Sequence, residues 1–356
     1  MKKFLSILLA AVMLLGLLSA CGGKAAETQP SASPTQTAGG TRTFVDSAGR
    51  SVEVPTDIER IIPSGSMAQT FVWPLAADKL VSVGDKFTDE QLKYLGDKYR
   101  DLPVTGNLYK TGSKLNVEEV AKLNPQIIID FGEPKDTIVQ DLDNLQKLLG
   151  IPCIFIEGSF SNTADAYRML GDLLNEKDQA EKIATYVDGI MSKTKDVFSK
   201  IDKKSLAFVN STDGLGCIAK GTYFDEIWSY MGSNVATVSD AQMYSFSTIS
   251  LEQLQTWNPD YMFFYSDDAY KTATTDAAWS GLKAVKEGHC YTIPKYPVDF
   301  CFTPSVNRYM GIIWLATILY PKDFDWNLKD EVYKYYDMFY HCTLTDALYN
   351  ELMGIA

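Results

Sequence analysis

Side chains able to do chemistry are few in this chain, and their spacing suits catalysis poorly. Histidine occurs only at His289 and His341. A zinc cage needs several His or Cys ligands converging on one ion, so a bare-zinc site is not expected. The Gly-x-Ser-x-Gly elbow of a serine hydrolase is absent, and so are the glycine-rich loops that cradle nucleotide phosphates. Ser192-Lys193-Thr194-Lys195 has the S-x-x-K form and Lys110-Thr111-Gly112 is K-T-G, the pieces of a penicillin-binding serine enzyme. They stand in the reverse order, and Ser192 falls inside a long helical pattern. Neither resident cofactor nor catalytic residue is indicated, and the residues read as those of a binding protein rather than an enzyme.

The formal net charge is −12, which speaks against nucleic acid or an anionic membrane face as partner, since both call for clustered Lys and Arg. Of the six cysteines, Cys153, Cys217, Cys290, Cys301 and Cys342 form an odd set without tight spacing, so no disulfide framework is expected. Cys153 sits in the apolar run Ile151 to Ile156 and reads as a buried thiol. Cys21 differs. Met1-Lys2-Lys3 is a basic start, and Phe4 to Leu18 is an apolar stretch of about 15 residues, too short to span a bilayer. Leu18-Ser19-Ala20-Cys21 follows, and small residues before Cys resemble a lipobox. Residues 1–21 are therefore expected to be a signal peptide, with Cys21 lipidated after cleavage. Residues 22–42, rich in Ala, Ser, Thr, Gln, Gly and Pro, read as a flexible tether.

The elements that must position any site are organised around a repeated stretch. Val117 to Ile129 reads V-E-E-V-A-K-L-N-P-Q-I-I-I, and Leu251 to Phe263 reads L-E-Q-L-Q-T-W-N-P-D-Y-M-F. Glu118 aligns with Glu252 and Asn124-Pro125 with Asn258-Pro259. Apolar residues three apart mark one face of a short helix. Pro stops it, and an unbroken apolar run then marks a buried parallel strand. Two α/β lobes follow, 43–160 and 205–356. Between them, 161–204 carries a long helical pattern without Pro, read as a single connecting helix or two joined near Asn175. Other expected elements are a hairpin across Asp46 to Gly49, a helix over Met67 to Ala76, a strand over Lys79 to Val83, and helices over Tyr223 to Met231, Val306 to Leu319 and the tail from Lys329.

The chain resembles the substrate-binding lipoproteins of ABC importers for iron–siderophore, haem and cobalamin. The resemblance rests on Leu75-Ala76-Ala77-Asp78-Lys79-Leu80-Val81-Ser82-Val83-Gly84, on Val117 to Ile129, on Gly232-Ser233-Asn234-Val235-Ala236, and on Ile313-Trp314-Leu315-Ala316 with Leu319-Tyr320-Pro321. Their order matters more than any one of them. The resemblance implies two Rossmann-like lobes with mainly parallel sheets, joined by one long α-helix, with the ligand between the lobes. It also implies a monomer, lipid-anchored on the outer face of the cell membrane, that hands a small metal chelate to a permease dimer with its cytoplasmic ATPase. In that family each lobe carries a surface Glu for docking. Glu226 occupies the expected helix of the second lobe, but Thr70 stands at the matching place in the first.

Ligands of α/β sheets bind beyond the carboxyl ends of parallel strands. Those ends supply Ser66, Met67, Tyr109, Lys110, Glu133, Asp213, Tyr265 and Phe300. Tyr244 adds an aromatic, and Lys220 and Arg308 add cations able to meet an anionic chelate. Such a Tyr-rich surface suits a flat, partly apolar ligand, with a ferric siderophore first and haem or cobalamin as alternatives.

Overall fold

The computed structural model describes residues 39–110 and 112–355. The expected signal peptide, Cys21 and most of the expected tether lie outside the described residues.

The first lobe opens with an antiparallel hairpin, β1 (Thr41–Val45) and β2 (Ser51–Pro55). Asp46 closes its turn by accepting from the backbone N–H of Ala48 at 3.0 Å and Arg50 at 2.9 Å, as Asp does where a chain must reverse. Arg50 then clamps the hairpin to the lobe by donating to Cys153 O at 2.9 Å. After β3 (Ile61–Pro63) come α1 (Ser66–Ala76), α2 (Asp89–Leu95), α3 (Val117–Lys122), β4 (Ile127–Gly132), α4 (Ile138–Leu149) and β5 (Cys153–Glu157). A parallel sheet of order β3-β4-β5 pairs Ile61 with Ile127 and Ile128 with Cys153. Every residue of β4 is buried, as its unbroken apolar run requires. Lys79 to Val83, expected as a strand, touches β3 only through the bridge of Leu80 to Ile61 and the Val81 N–H on Ile61 O at 3.0 Å. It follows the edge of the sheet without forming a ladder.

The long helical pattern resolves into α5 (Thr163–Leu174) and α6 (Lys177–Phe198), packed on each other. Asn175 between them is left-handed, with φ of 60°, and Asn tolerates that region better than most residues. Only the 22-residue α6 is long.

The second lobe contains β6 (Ser205–Val209), β7 (Gly216–Cys217), α7 (Glu226–Met231), β8 (Ser233–Asn234), β9 (Ser247–Thr248), α8 (Leu251–Trp257), β10 (Tyr261–Phe264), α9 (Asp267–Thr275), α10 (Lys283–Lys286) and β11 (Cys290–Thr292). Its sheet runs β11-β10-β6-β7-β9, with β8 also on β6. The β6, β10, β11 and β8 pairings are parallel, and β7 and β9 are antiparallel. The repeat holds at the level of backbone angle. Asn124 after α3 and Asn258 after α8 are both left-handed, at φ 45° and 43°, and each leads through Pro into an interior strand of its sheet.

The chain ends in α11 (Arg308–Leu319), α12 (Leu328–Tyr340) and α13 (Asp346–Met353). A continuous core runs from Phe44 through α5 and α6 to Phe208 and the terminal helices, while separate apolar clusters cover the opposite face of each sheet. Helix α12 packs against both α1 and α11. The tail thus braces the two lobes alongside α6.

Candidate functional site

A cleft of about 940 Å³ opens between the lobes. Its walls rise from the carboxyl ends of β3, β4 and β10, the place where open parallel sheets leave backbone and side chains free to meet a ligand. Tyr340 from the tail also reaches it.

The first-lobe wall is a polar network on an apolar base. The backbone N–H of Ser66 donates to Asn107 Oδ1 at 2.7 Å, and Ser66 Oγ donates to Asp85 Oδ2 at 2.6 Å. Lys110 Nζ meets the same carboxylate oxygen at 2.8 Å. Desolvation opposes the charge on Asp85, but Lys110 and Ser66 outweigh it and hold Asp85 below its ordinary range. The network needs close backbone approach. A Cβ on Gly84 would come within 2.4 Å of the Ser66 nitrogen, so no side chain fits there. Deeper in, Ser64 Oγ donates to Asp130 Oδ1. Burial pushes the Asp130 carboxyl up, and its Oδ2 has no protein partner. At the rim the Lys135 ammonium stands 3.9 Å from the Tyr109 ring centroid, a cation–π contact.

The second-lobe wall is aromatic. Phe302 is its hub, with ring centroids of Phe224 at 5.6 Å, Phe246 at 5.4 Å and Tyr265 at 5.1 Å. Tyr244 extends the wall through Tyr223 at 5.3 Å and is 74% exposed. The backbone below Phe302 is held by Asp299, which accepts from the N–H groups of Phe302 and Thr303 at 2.5 and 2.8 Å.

At the base lies a charged group shared by the lobes. Arg308 Nη1 pairs with Glu226 Oε2 at 2.5 Å, and the arginine is only 4% exposed. Glu133, at the end of β4, faces the same place from the first lobe. Burial pushes both Glu133 and Glu226 up, and Arg308 pulls both back down.

Of the residues expected at the site, Ser66, Met67, Tyr109, Lys110, Glu133, Tyr244 and Tyr265 line the cleft. Three do not, and each has a physical reason. Phe300 is 0% exposed, because the turn after Pro294 directs it into the core. Asp213 closes its own loop, accepting from Ser211 Oγ at 2.6 Å and the Leu215 N–H at 2.9 Å. Arg308 lies beneath the cleft, engaged with Glu226. Lys220 is likewise absent from the lining. The two residues expected to dock have partners within the protein: Thr70 lines the cleft and donates to Met67 O at 2.8 Å, and Glu226, its side chain 38% exposed, pairs with Arg308. His341 ends α12 in the left-handed region at φ 52° and is not part of the cleft lining.

Sequence reasoning missed Asp85, Asn107, Tyr223, Phe224, Phe302 and Lys295, all of which line the cleft. Only Phe224 and Phe302 carried a signal, as aromatics beside residues already singled out.

The profile of the periplasmic binding protein family matches residues 71–297. A probable siderophore-binding lipoprotein of Bacillus subtilis, YfiY, is 23% identical over 309 residues, covering 82% of this chain and 91% of its own. The molybdate-binding protein MolA of Haemophilus influenzae is 23% identical over 81% of this chain and 75% of its own. Among solved structures, an ABC transporter solute binding protein from Sulfurospirillum deleyianum superposes with a TM-score of 0.79 at 22% identity, covering 88% of this chain and 99% of that one.

Proposed function

This chain belongs to the periplasmic binding protein family, and on that premise we propose that it is the receptor of an ABC importer for a ferric siderophore. The observation that carries the reading is the pairing of an aromatic wall with a lysine rim across a cleft of about 940 Å³, within the usual range of small-molecule sites. Lys86, Lys110, Lys135 and Lys295 line it, while Asp130 and Asp299 are buried and pushed toward their neutral forms. An anionic chelate with flat rings meets both surfaces: rings stack on Tyr244, Phe302 and Tyr265, and charge meets the lysines. The metal arrives with its own donor atoms, so the protein need supply none. Relatives named for a siderophore and for molybdate, itself an anion, support an anionic solute. The aromatic wall around Phe302 also favours a second reading, haem or cobalamin, whose ring systems stack on such a surface.

In this reading Ser66, Met67, Tyr109, Lys110, Tyr244 and Tyr265 contact the solute, with Glu133 beneath them at the base. The receptor acts as a monomer, outside the cytoplasm, anchored through a lipid on Cys21, and passes its solute to a permease dimer driven by an ATPase. It performs no turnover. Purified protein titrated with ferric catecholate and hydroxamate siderophores, haem, cobalamin and molybdate, followed by intrinsic fluorescence, tests it. Saturable quenching by a ferric siderophore at micromolar concentration or below is expected. Saturation by haem or cobalamin alone selects the second reading, and saturation by molybdate alone overturns both.

A further inference from the structure

Beneath the cleft the two lobes face each other across a cavity of about 10 Å³, roughly the space of a single water. Its lining includes Glu133 and Met67 from the first lobe and Arg308, Tyr223 and Ser305 from the second. Arg308 is the unusual member. One nitrogen, Nη1, is paired with Glu226. Nε and Nη2 are buried without a protein partner. Those two donors form one edge of the planar guanidinium, the geometry that takes a carboxylate by two parallel bonds. A buried charged donor without a partner is costly. Glu133 is the carboxylate on the opposite wall, and among the described residues no ion pair joins it to Arg308. The cavity is too small for a solute group, and a shift on the scale of one water closes it.

We propose that Glu133 and Arg308 are a closing latch between the lobes: as the cleft narrows, the Glu133 carboxylate takes the open edge of Arg308, and protonation of Glu133 undoes it. The proposal rests on the cleft being a solute site but not on which solute enters. It also fits a frame braced by α6 and α12, since only a small movement is required.

The sign of the pH dependence follows from the surroundings. Glu133 faces Arg308 and Glu226 from the second lobe, and Glu157 and Lys135 from its own, while Tyr223 lines the same cavity. In the present arrangement burial, then Glu226, push Glu133 up against the pull of Arg308. Two direct bonds to the guanidinium lower it. Closure therefore releases a proton. The latch is at full strength above the raised open-state value and is lost as pH falls through the lowered closed-state value.

The test compares full-length wild type with Glu133→Gln, and with Arg308→Lys, which keeps a cation for Glu226 but lacks the fork. Hydrogen exchange of the ligand-free protein is followed at residues 131–134 and 303–309, at pH 7.5 and 5.5. Wild type is expected to be better protected than either variant at pH 7.5, with a smaller difference at pH 5.5. A ferric catecholate complex serves as the solute probe. Wild type should bind it about tenfold more tightly than Glu133→Gln at pH 7.5, an ordinary coupling size, with a smaller ratio at pH 5.5. Identical exchange in wild type and Glu133→Gln at both pH values overturns the latch, whether or not the probe binds. Failure of wild type to bind any solute offered overturns the receptor reading alone.

Discussion

Glu226 shows how one side chain changes meaning once its neighbour is known. As a carboxylate in the first turn of a helix it reads equally well as a solvated group favoured by the helix dipole or as a docking contact. Its pairing with Arg308 makes it part of the floor. Glu226→Ala leaves the buried guanidinium without its carboxylate, and unfolding in urea should show a loss of about 1–2 kcal/mol, less than for a fully buried pair because the Glu226 side chain is 38% exposed and screened by water. An unchanged midpoint would return Glu226 to a surface role. Tyr244 is the opposite case. It is largely exposed, so Tyr244→Ala should move stability by less than about 0.5 kcal/mol. Solute affinity should nevertheless fall about five- to tenfold through the lost stacking, read by fluorescence titration. The residues legible in advance were those next to strand ends, because a strand fixes where its last residue emerges. Asp85 and Asn107 sit in loops whose course is set by Gly84 and Gly106, and nothing local marks them.

Among the elements, the repeated helix–Asn-Pro–strand unit was legible almost residue by residue, since helix period, stop signal and buried strand are all local. Its Asn is required by backbone angle. Asn124 is exposed, with φ of 45°. Asn124→Gly should leave stability within about 0.5 kcal/mol of wild type, whereas Asn124→Val should cost about 1–2 kcal/mol, both by thermal unfolding. Equal melting of the two variants would show that the left-handed angle is not needed there. The break at Asn175 follows the same rule but could not be chosen from periodicity alone, because α5 and α6 continue the apolar pattern on either side. Lys79 to Val83 failed as a strand because it changes neighbours along its length: Leu80 bridges Ile61 and Val83 bridges Val104, and neither pairing runs on far enough to make a ladder.

For the whole molecule, α6 and α12 pack against elements of both lobes, and this bracing should limit how far the cleft can close. Tyr335 Oη donates to Asn307 Oδ1 at 2.9 Å, as does the hydroxyl of Tyr340, which also lines the cleft. Asn307→Leu removes the shared acceptor of two buried hydroxyls. It should cost about 2–4 kcal/mol in a cooperative unfolding transition that includes both lobes, whereas separate transitions for the lobes would refute the brace. Anchoring belongs to this scale too. Labelled palmitate should enter the wild-type protein and not Cys21→Ala, with the variant released from the membrane, and retention of label by Cys21→Ala would dismiss the lipid anchor. Among the described residues no helix is long and apolar enough to cross a membrane.

From residue order alone came the α/β lobes, their duplication, the receptor family and the strand ends that ring the cleft, because each depends on local spacing or on the order of motifs along the chain. Folding in three dimensions alone decided that Phe302 anchors an aromatic wall, that Phe300 two positions away is core, and that Glu226 pairs with Arg308 at the base while Glu133 faces that arginine from the other lobe. Those outcomes depend on which distant surfaces press together, and burial and charge partners exist only after that contact is made.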